Sequence, residues 1–65
     1  MNKINTSIVQ ALVCFGPLTI MRIKEKLDKK NVFLTEKQVE ERCEKLIKLG
    51  EIKPTIAQVS KGYKI

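Results

Sequence analysis

The chain has 65 residues, of which 43% are hydrophobic and 31% are charged, and its formal net charge at pH 7 is +6. A chain this short forms one domain at most, so residues 1–65 are expected to fold as a single domain. The positive charge favours a polyanionic partner, although small basic proteins also use charge for solubility alone. No stretch approaches the roughly 20 apolar residues of a membrane span, so no membrane partner is expected. An intracellular location is expected, in the cytoplasm, nucleoid or nucleus.

The residue types present argue against several kinds of site. The chain has two cysteines, Cys14 and Cys43, and no histidine. Both cysteines fall on apolar helix faces and are expected to be buried free thiols rather than a disulfide or a redox pair. Two cysteines without a histidine cannot complete a tetrahedral zinc site, and no cofactor is expected. Because no general base or activated nucleophile stands out, the chain is not expected to be an enzyme.

The first predicted helix runs from about Ser7 to Phe15. Asn5 or Thr6 can act as its N-cap by accepting a backbone N–H bond. Gly16 and Pro17 should end it, because glycine suits the left-handed cap position and proline cannot continue the helical ladder. One face of the helix is apolar at helical spacing and is expected to be buried: Ile4, Ile8, Ala11, Leu12 and Phe15.

Two further apolar residues of this helix, Val9 and Val13, lie on a different side, four residues apart. One interpretation is that another part of the fold, the C-terminal hairpin or the third helix, covers them. The other is that they form a homodimer contact, which would suit a small regulator because a two-fold partner doubles the available base contacts. The sequence leaves both open.

The second predicted helix follows Thr19, a suitable N-cap, and closes at Asn31. Its buried stripe consists of Ile20, Ile23 and Leu27, and its outward cations are Arg22, Lys26, Lys29 and Lys30. The connection that follows is apolar: Val32, Phe33 and Leu34. These three side chains are expected to enter the core, because a loop this apolar would otherwise be an exposed adhesive patch.

The third predicted helix has the clearest start, a T-x-x-Q capping box formed by Thr35 and Gln38. Gly50 should end it. Its inward stripe is Val39, Cys43, Leu46 and Ile47, and its outward residues include favourable i,i+4 pairs, Glu41 with Lys45 and Glu44 with Lys48. One flank is an acidic edge made of Glu36, Glu40 and Glu44.

The tail after Gly50 is rich in β-favouring residues: Ile52, Ile56, Val59, Tyr63 and Ile65. Pro54 lacks a backbone donor, so it fits only an edge strand or a bulge. Ser60-Lys61-Gly62 is predicted to be the turn, with Gly62 available for a positive φ angle. A two-stranded hairpin is therefore predicted, and it must pack on the helices to be stable.

The order of these elements resembles the winged helix-turn-helix family over nearly the whole chain. The motifs that carry the resemblance are "GPLTIMRIKEKL" at the second helix, "TEKQVEERCEKLIKLGEI" from the third helix into the hairpin, and the closing "GYKI". The resemblance implies an α+β fold with three helices and a short C-terminal β-hairpin wing. The third helix is also similar to that of the cullin tail domain, a family member that binds proteins, so fold alone does not decide function.

The family commonly binds duplex DNA, so the resemblance implies a DNA-binding protein, most simply a transcriptional regulator and a dimer. Its third helix would enter the major groove, while the second helix and wing contact phosphates. The residues implied to bind DNA are Arg22, Lys26, Thr35, Lys37, Gln38, Glu41, Lys45, Lys53 and Lys61. The acidic edge counts against this function and supports an alternative, a protein-interaction module that does not bind DNA.

Overall fold

Three helices and a three-stranded antiparallel sheet make up the fold, in a computed structural model that describes residues 3–65. In chain order the elements are α1 Lys3–Phe15, β1 Leu18–Thr19, α2 Ile20–Asp28, α3 Glu36–Lys48, β2 Lys53–Ala57 and β3 Ser60–Lys64. The core is built from Ile8, Leu12, Ile23, Leu27, Val39, Cys43, Leu46, Ile52 and Tyr63. The predicted α+β class, helices and hairpin are confirmed, whereas the short strand β1 was not predicted.

Helix α1 begins earlier than the sequence indicated. It starts at Lys3 rather than near Ser7, so Asn5 and Thr6 lie inside the helix and the prediction that one of them is the N-cap is wrong. Ile4 packs against the core from this extra turn. The apolar contact of Ile4 stabilises the first turn, because helices in proteins depend more on packing than on local propensity.

Each of the three helices is followed by a residue with a left-handed backbone, as predicted for Gly16. Helix α2 itself ends at Asp28, three residues before Asn31, which was predicted to close it. The φ angles are 78° at Gly16, 61° at Asn31 and 77° at Gly50. After α3, the backbone N–H of Glu51 donates to the carbonyl of Leu46 at 3.0 Å, which is the long bond of a Schellman motif. This turn directs the chain from α3 straight into the hairpin.

The predicted N-caps of α2 and α3 are confirmed. Thr19 Oγ1 accepts a bond from the backbone N–H of Arg22 at 3.3 Å. At the start of α3, Thr35 Oγ1 accepts from the N–H of Gln38 at 3.1 Å, and Gln38 Oε1 accepts from the N–H of Thr35 at 2.9 Å. Both members of the capping box are therefore formed, which fixes where α3 begins.

The connection between α2 and α3 is only partly buried. Val32 and Leu34 pack against the core, but Phe33 is 72% exposed, so the prediction that all three enter the core is wrong for Phe33. Residues 32–34 belong to no helix or strand, and Val32 and Leu34, on either side of Phe33, occupy the space against the core. Burial of the two flanking residues thus turns the phenylalanine toward solvent.

The last turn of α1, residues 13–15, extends beyond the core. Val13 is 66% exposed and Phe15 is 59% exposed. Cys14 is also exposed, so the predicted burial of Cys14 and Phe15 is wrong. Val9 packs against the core whereas Val13 remains uncovered, so the interpretation that the fold covers both holds only for Val9.

The two cysteines are expected to differ sharply in reactivity. Cys43 is fully buried, and burial raises its pKa to about 12, so almost no thiolate is present at neutral pH. Iodoacetamide at pH 7.5 should therefore modify Cys14 alone in the native protein and both thiols in denaturant, as counted by intact mass. Rapid double modification of the native chain would contradict the burial of Cys43.

The hairpin turn lies two residues earlier than predicted. Strands β2 and β3 pair from Lys53 opposite Lys64 to Ala57 opposite Ser60, which leaves Gln58 and Val59 as the turn. Their φ angles are 50° and 58°, the signs of a type I′ turn. The prediction of a turn at residues 60–62 is wrong, because those residues belong to β3. Pro54 lies on the edge strand β2, as its missing donor requires.

Gly62 allows the backbone of β1 to approach β3 closely and is not part of a turn. It pairs with Thr19 of β1 on one side and Thr55 of β2 on the other. A Cβ atom at Gly62 would lie 2.5 Å from the carbonyl oxygen of Leu18. The absence of a side chain therefore allows β1 to pair with the central strand.

Replacing the turn with Gln58→Asn and Val59→Gly is expected to stabilise the protein. A β-branched residue such as valine rarely adopts a positive φ, and Asn-Gly is the favoured sequence for this turn. The strain that is relieved outweighs the entropy cost of the added glycine, so the free energy of unfolding should rise by about 1 kcal/mol. Urea denaturation should show a higher midpoint with an unchanged slope, whereas a lower midpoint would contradict the assigned turn.

Candidate nucleic-acid interface

The face of α3 that points away from the core is exposed and polar. Val39, Cys43 and Leu46 are fully buried, so the outward positions at the start of the helix are left to solvent. These exposed positions are Glu36, Lys37, Gln38 and Glu41. The polar start of α3 is therefore exposed on the protein surface.

Thr35 and Gln38 have structural roles that limit their use on a base. The capping box engages the hydroxyl of Thr35 and the side-chain oxygen of Gln38. Paired recognition of adenine by Gln38 would need both its amide oxygen and its amide nitrogen. Gln38 can therefore donate from its nitrogen while capping, but a bidentate contact would break the capping box.

Lys61 of β3 is held against the acidic edge of α3. Its Nζ atom lies 3.2 Å from Glu40 Oε2 and 3.4 Å from Glu44 Oε1. Lys61 donates hydrogen bonds to the carboxylates of Glu40 and Glu44, and these bonds raise the pKa of Lys61, so its ammonium group remains charged at neutral pH. The three side chains together have a formal charge of −1, and the hairpin partly neutralises the acidic edge.

A cleft forms where α2 and α3 begin and the hairpin turns. It has a volume of about 500 Å³ and is lined by Thr19, Ile20, Met21, Arg22, Glu25, Glu36, Gln58, Ser60 and Lys61. The cleft contains two of the cations that the resemblance implied to bind phosphate, Arg22 and Lys61. Arg22 is paired with Glu25 at 3.4 Å, so both of these cations already have carboxylate partners.

A second, smaller depression lies on the opposite flank of α3. It has a volume of about 240 Å³ and is lined by Leu34, Gln38, Glu41, Arg42 and Lys45. Gln38, Glu41 and Lys45 were predicted to bind DNA, and the structure brings them together here. Arg42 was not among the predicted residues, although its position four residues after Gln38 places it on the same flank.

The remaining predicted residues are dispersed. Lys26 lies on the side of α2 that faces α1, with its Nζ atom 4.0 Å from the centre of the Phe15 ring. Lys53 begins the edge strand β2 and lies outside both depressions. Within residues 3–65, Glu41 and Lys45 form no ion pair, nor do Glu44 and Lys48, because Glu44 is engaged by Lys61 instead.

Neither a metal-holding group of side chains nor a membrane-spanning helix is present in the part of the chain that the structure describes. In residues 3–65, no group of three acidic, cysteine or histidine side chains is arranged to hold a metal ion. None of the helices described is long and apolar enough to cross a membrane.

Comparisons of the chain with protein-family models, with curated proteins and with solved structures found no match.

Proposed function

We propose that this chain is a winged-helix protein that binds duplex DNA and acts as a small transcriptional regulator. Helix α3 would face the major groove, while the start of α2 and the β2–β3 hairpin would contact phosphates. The observation that supports this most is the convergence of α2, α3 and the hairpin on one cleft. The exposed polar start of α3 lies beside that cleft.

The charge distribution is compatible with this proposal despite the acidic edge. Helix α3 contains four acidic and four basic residues, so it is neutral overall, and Lys61 adds one positive charge to its surface. Within residues 3–65, four cations of α3 form no ion pair: Lys37, Arg42, Lys45 and Lys48. These unpaired cations would supply attraction to phosphates, and base contacts would come from Lys37, Gln38 and Glu41.

The proposal is tested by fluorescence anisotropy with a labelled mixed-sequence duplex. The dissociation constant should be micromolar or lower at about 50 mM KCl and should rise at least tenfold by about 200 mM. The double substitution Lys37→Gln and Lys45→Gln should weaken binding more than Lys29→Gln with Lys30→Gln, which removes the same charge at the opposite end of α2. No binding at low salt, or equal weakening by both pairs, would contradict the proposal.

A second candidate is a protein-docking module that does not bind DNA. The observation that favours it is that Arg22 and Lys61, the two cations of the cleft, are each paired with carboxylates. The substitution Glu40→Lys separates the candidates, because it should strengthen a DNA complex and weaken a complex with a basic protein. Absence of DNA binding by both forms at low salt would favour this second candidate.

A further inference from the structure

A groove with an apolar floor and a basic rim runs between α1 and α2. It has a volume of about 400 Å³ and is lined by Gln10, Ala11, Cys14, Phe15, Lys26, Lys29 and Lys30. Three lysines contribute to this lining and no acidic residue does. The floor comes from the end of α1, where Phe15 is 59% exposed rather than packed into the core.

The three rim lysines are not used in ion pairs with the rest of the described chain. Lys26 lies over the ring of Phe15, and Lys30 Nζ donates to Gln10 Oε1 at 3.4 Å. Lys29 is exposed and forms no ion pair within residues 3–65. Such a rim is complementary to an anionic partner, and the floor is complementary to apolar side chains.

The geometry argues against three other occupants. A second copy packed through the same groove with two-fold symmetry would bring its own three lysines against these three, and like charges across an interface are unfavourable. A nucleic acid base cannot stack on the face of Phe15 that Lys26 already covers. A membrane surface is bound by protruding apolar side chains, whereas this surface is a groove.

We propose that this α1–α2 groove is a docking site for an acidic amphipathic helix of another protein. The apolar side chains of that helix, one turn apart, would lie on Ala11 and Phe15. Its glutamates or aspartates would pair with Lys26, Lys29 and Lys30. This is the helix-in-groove mode of recognition, and it does not depend on whether α3 binds DNA.

Cys14 provides a direct probe of the groove, because it lines the floor and is exposed. The ligand is a synthetic peptide of about 14 residues, or four helical turns, with leucines on one face and glutamates beside them. The full chain is treated with iodoacetamide with and without this peptide. Saturating peptide is expected to slow Cys14 modification about tenfold.

Two sets of variants separate docking from general charge attraction. Lys26→Gln, Lys29→Gln and Lys30→Gln together should weaken peptide binding about tenfold, since each exposed pair contributes modestly. Lys3→Gln, Lys48→Gln and Lys64→Gln remove the same charge elsewhere and should leave binding unchanged. A peptide with alanine in place of leucine should not protect Cys14.

Several results would overturn the proposal. One is that the peptide fails to protect Cys14 at millimolar concentration. Another is that both triple variants lose protection equally, which would indicate nonspecific attraction. A third is that phosphatidylglycerol vesicles or decanoate protect Cys14 while the peptide does not, which would assign the groove to a lipid or a small amphiphile.

Discussion

Replacing Gly62 with alanine is expected to destabilise the protein by about 2 kcal/mol, although alanine is normally better tolerated in a strand than glycine. The added Cβ atom would lie 2.5 Å from the carbonyl oxygen of Leu18 and 3.1 Å from the Cβ of Ala57. The first contact is with backbone, so it cannot be relieved by a side-chain rotation. Strand β1 would have to move away from β3, and its two residue pairs would be lost.

The measurement is thermal and urea denaturation of the variant beside Ser60→Ala, which changes an exposed residue of the same strand. For a domain of this size, a loss of 2 kcal/mol corresponds to a fall in Tm of roughly 10 °C. Ser60→Ala should change Tm by less than a quarter of that amount. A Gly62→Ala protein as stable as the parent would show that β1 does not pair with the hairpin.

The double substitution Glu40→Gln and Glu44→Gln is expected to increase DNA affinity about tenfold at low salt, if the proposed function holds. It removes two negative charges from the acidic edge and releases Lys61 from its two carboxylate partners. One additional cation then becomes available for a phosphate. A plot of the logarithm of the association constant against the logarithm of the salt concentration should therefore have a slope more negative by about one.

The matched control is Glu51→Lys, which raises the net charge by the same two units at an exposed residue that forms no ion pair within residues 3–65 and leaves Lys61 paired. It should raise affinity less and leave the salt dependence nearly unchanged. If the control and the Glu40/Glu44 variant behave alike, the attraction of DNA is a property of net charge and α3 has no special part in it.

The sequence predicted those features that depend on neighbouring residues. Thr35 and Gln38 are three residues apart, so their capping box could be recognised without the fold. Gly16 and Gly50 end helices for equally local reasons. The outward orientation of Lys37 and Glu41 followed from the buried stripe of the same helix.

The features that depend on distant parts of the chain were not predicted. Lys61 meets Glu40 across 21 positions of sequence, and no local pattern indicates this pairing. Gly62 suggested a turn, but its close neighbour is Leu18, which is brought there only by the complete fold. The exposure of Cys14 likewise depends on how α1 packs in the complete fold, which the sequence of its own helix does not show.

The central claim is that the polar start of α3, together with the cleft beside it, forms the surface that meets duplex DNA. Backbone amide NMR shifts, followed as a duplex of about 20 base pairs is added at low salt, test it most directly. The account predicts shifts at Lys37, Glu41 and Lys45 and in the hairpin. No shifts, or shifts confined to the α1–α2 groove, would contradict it.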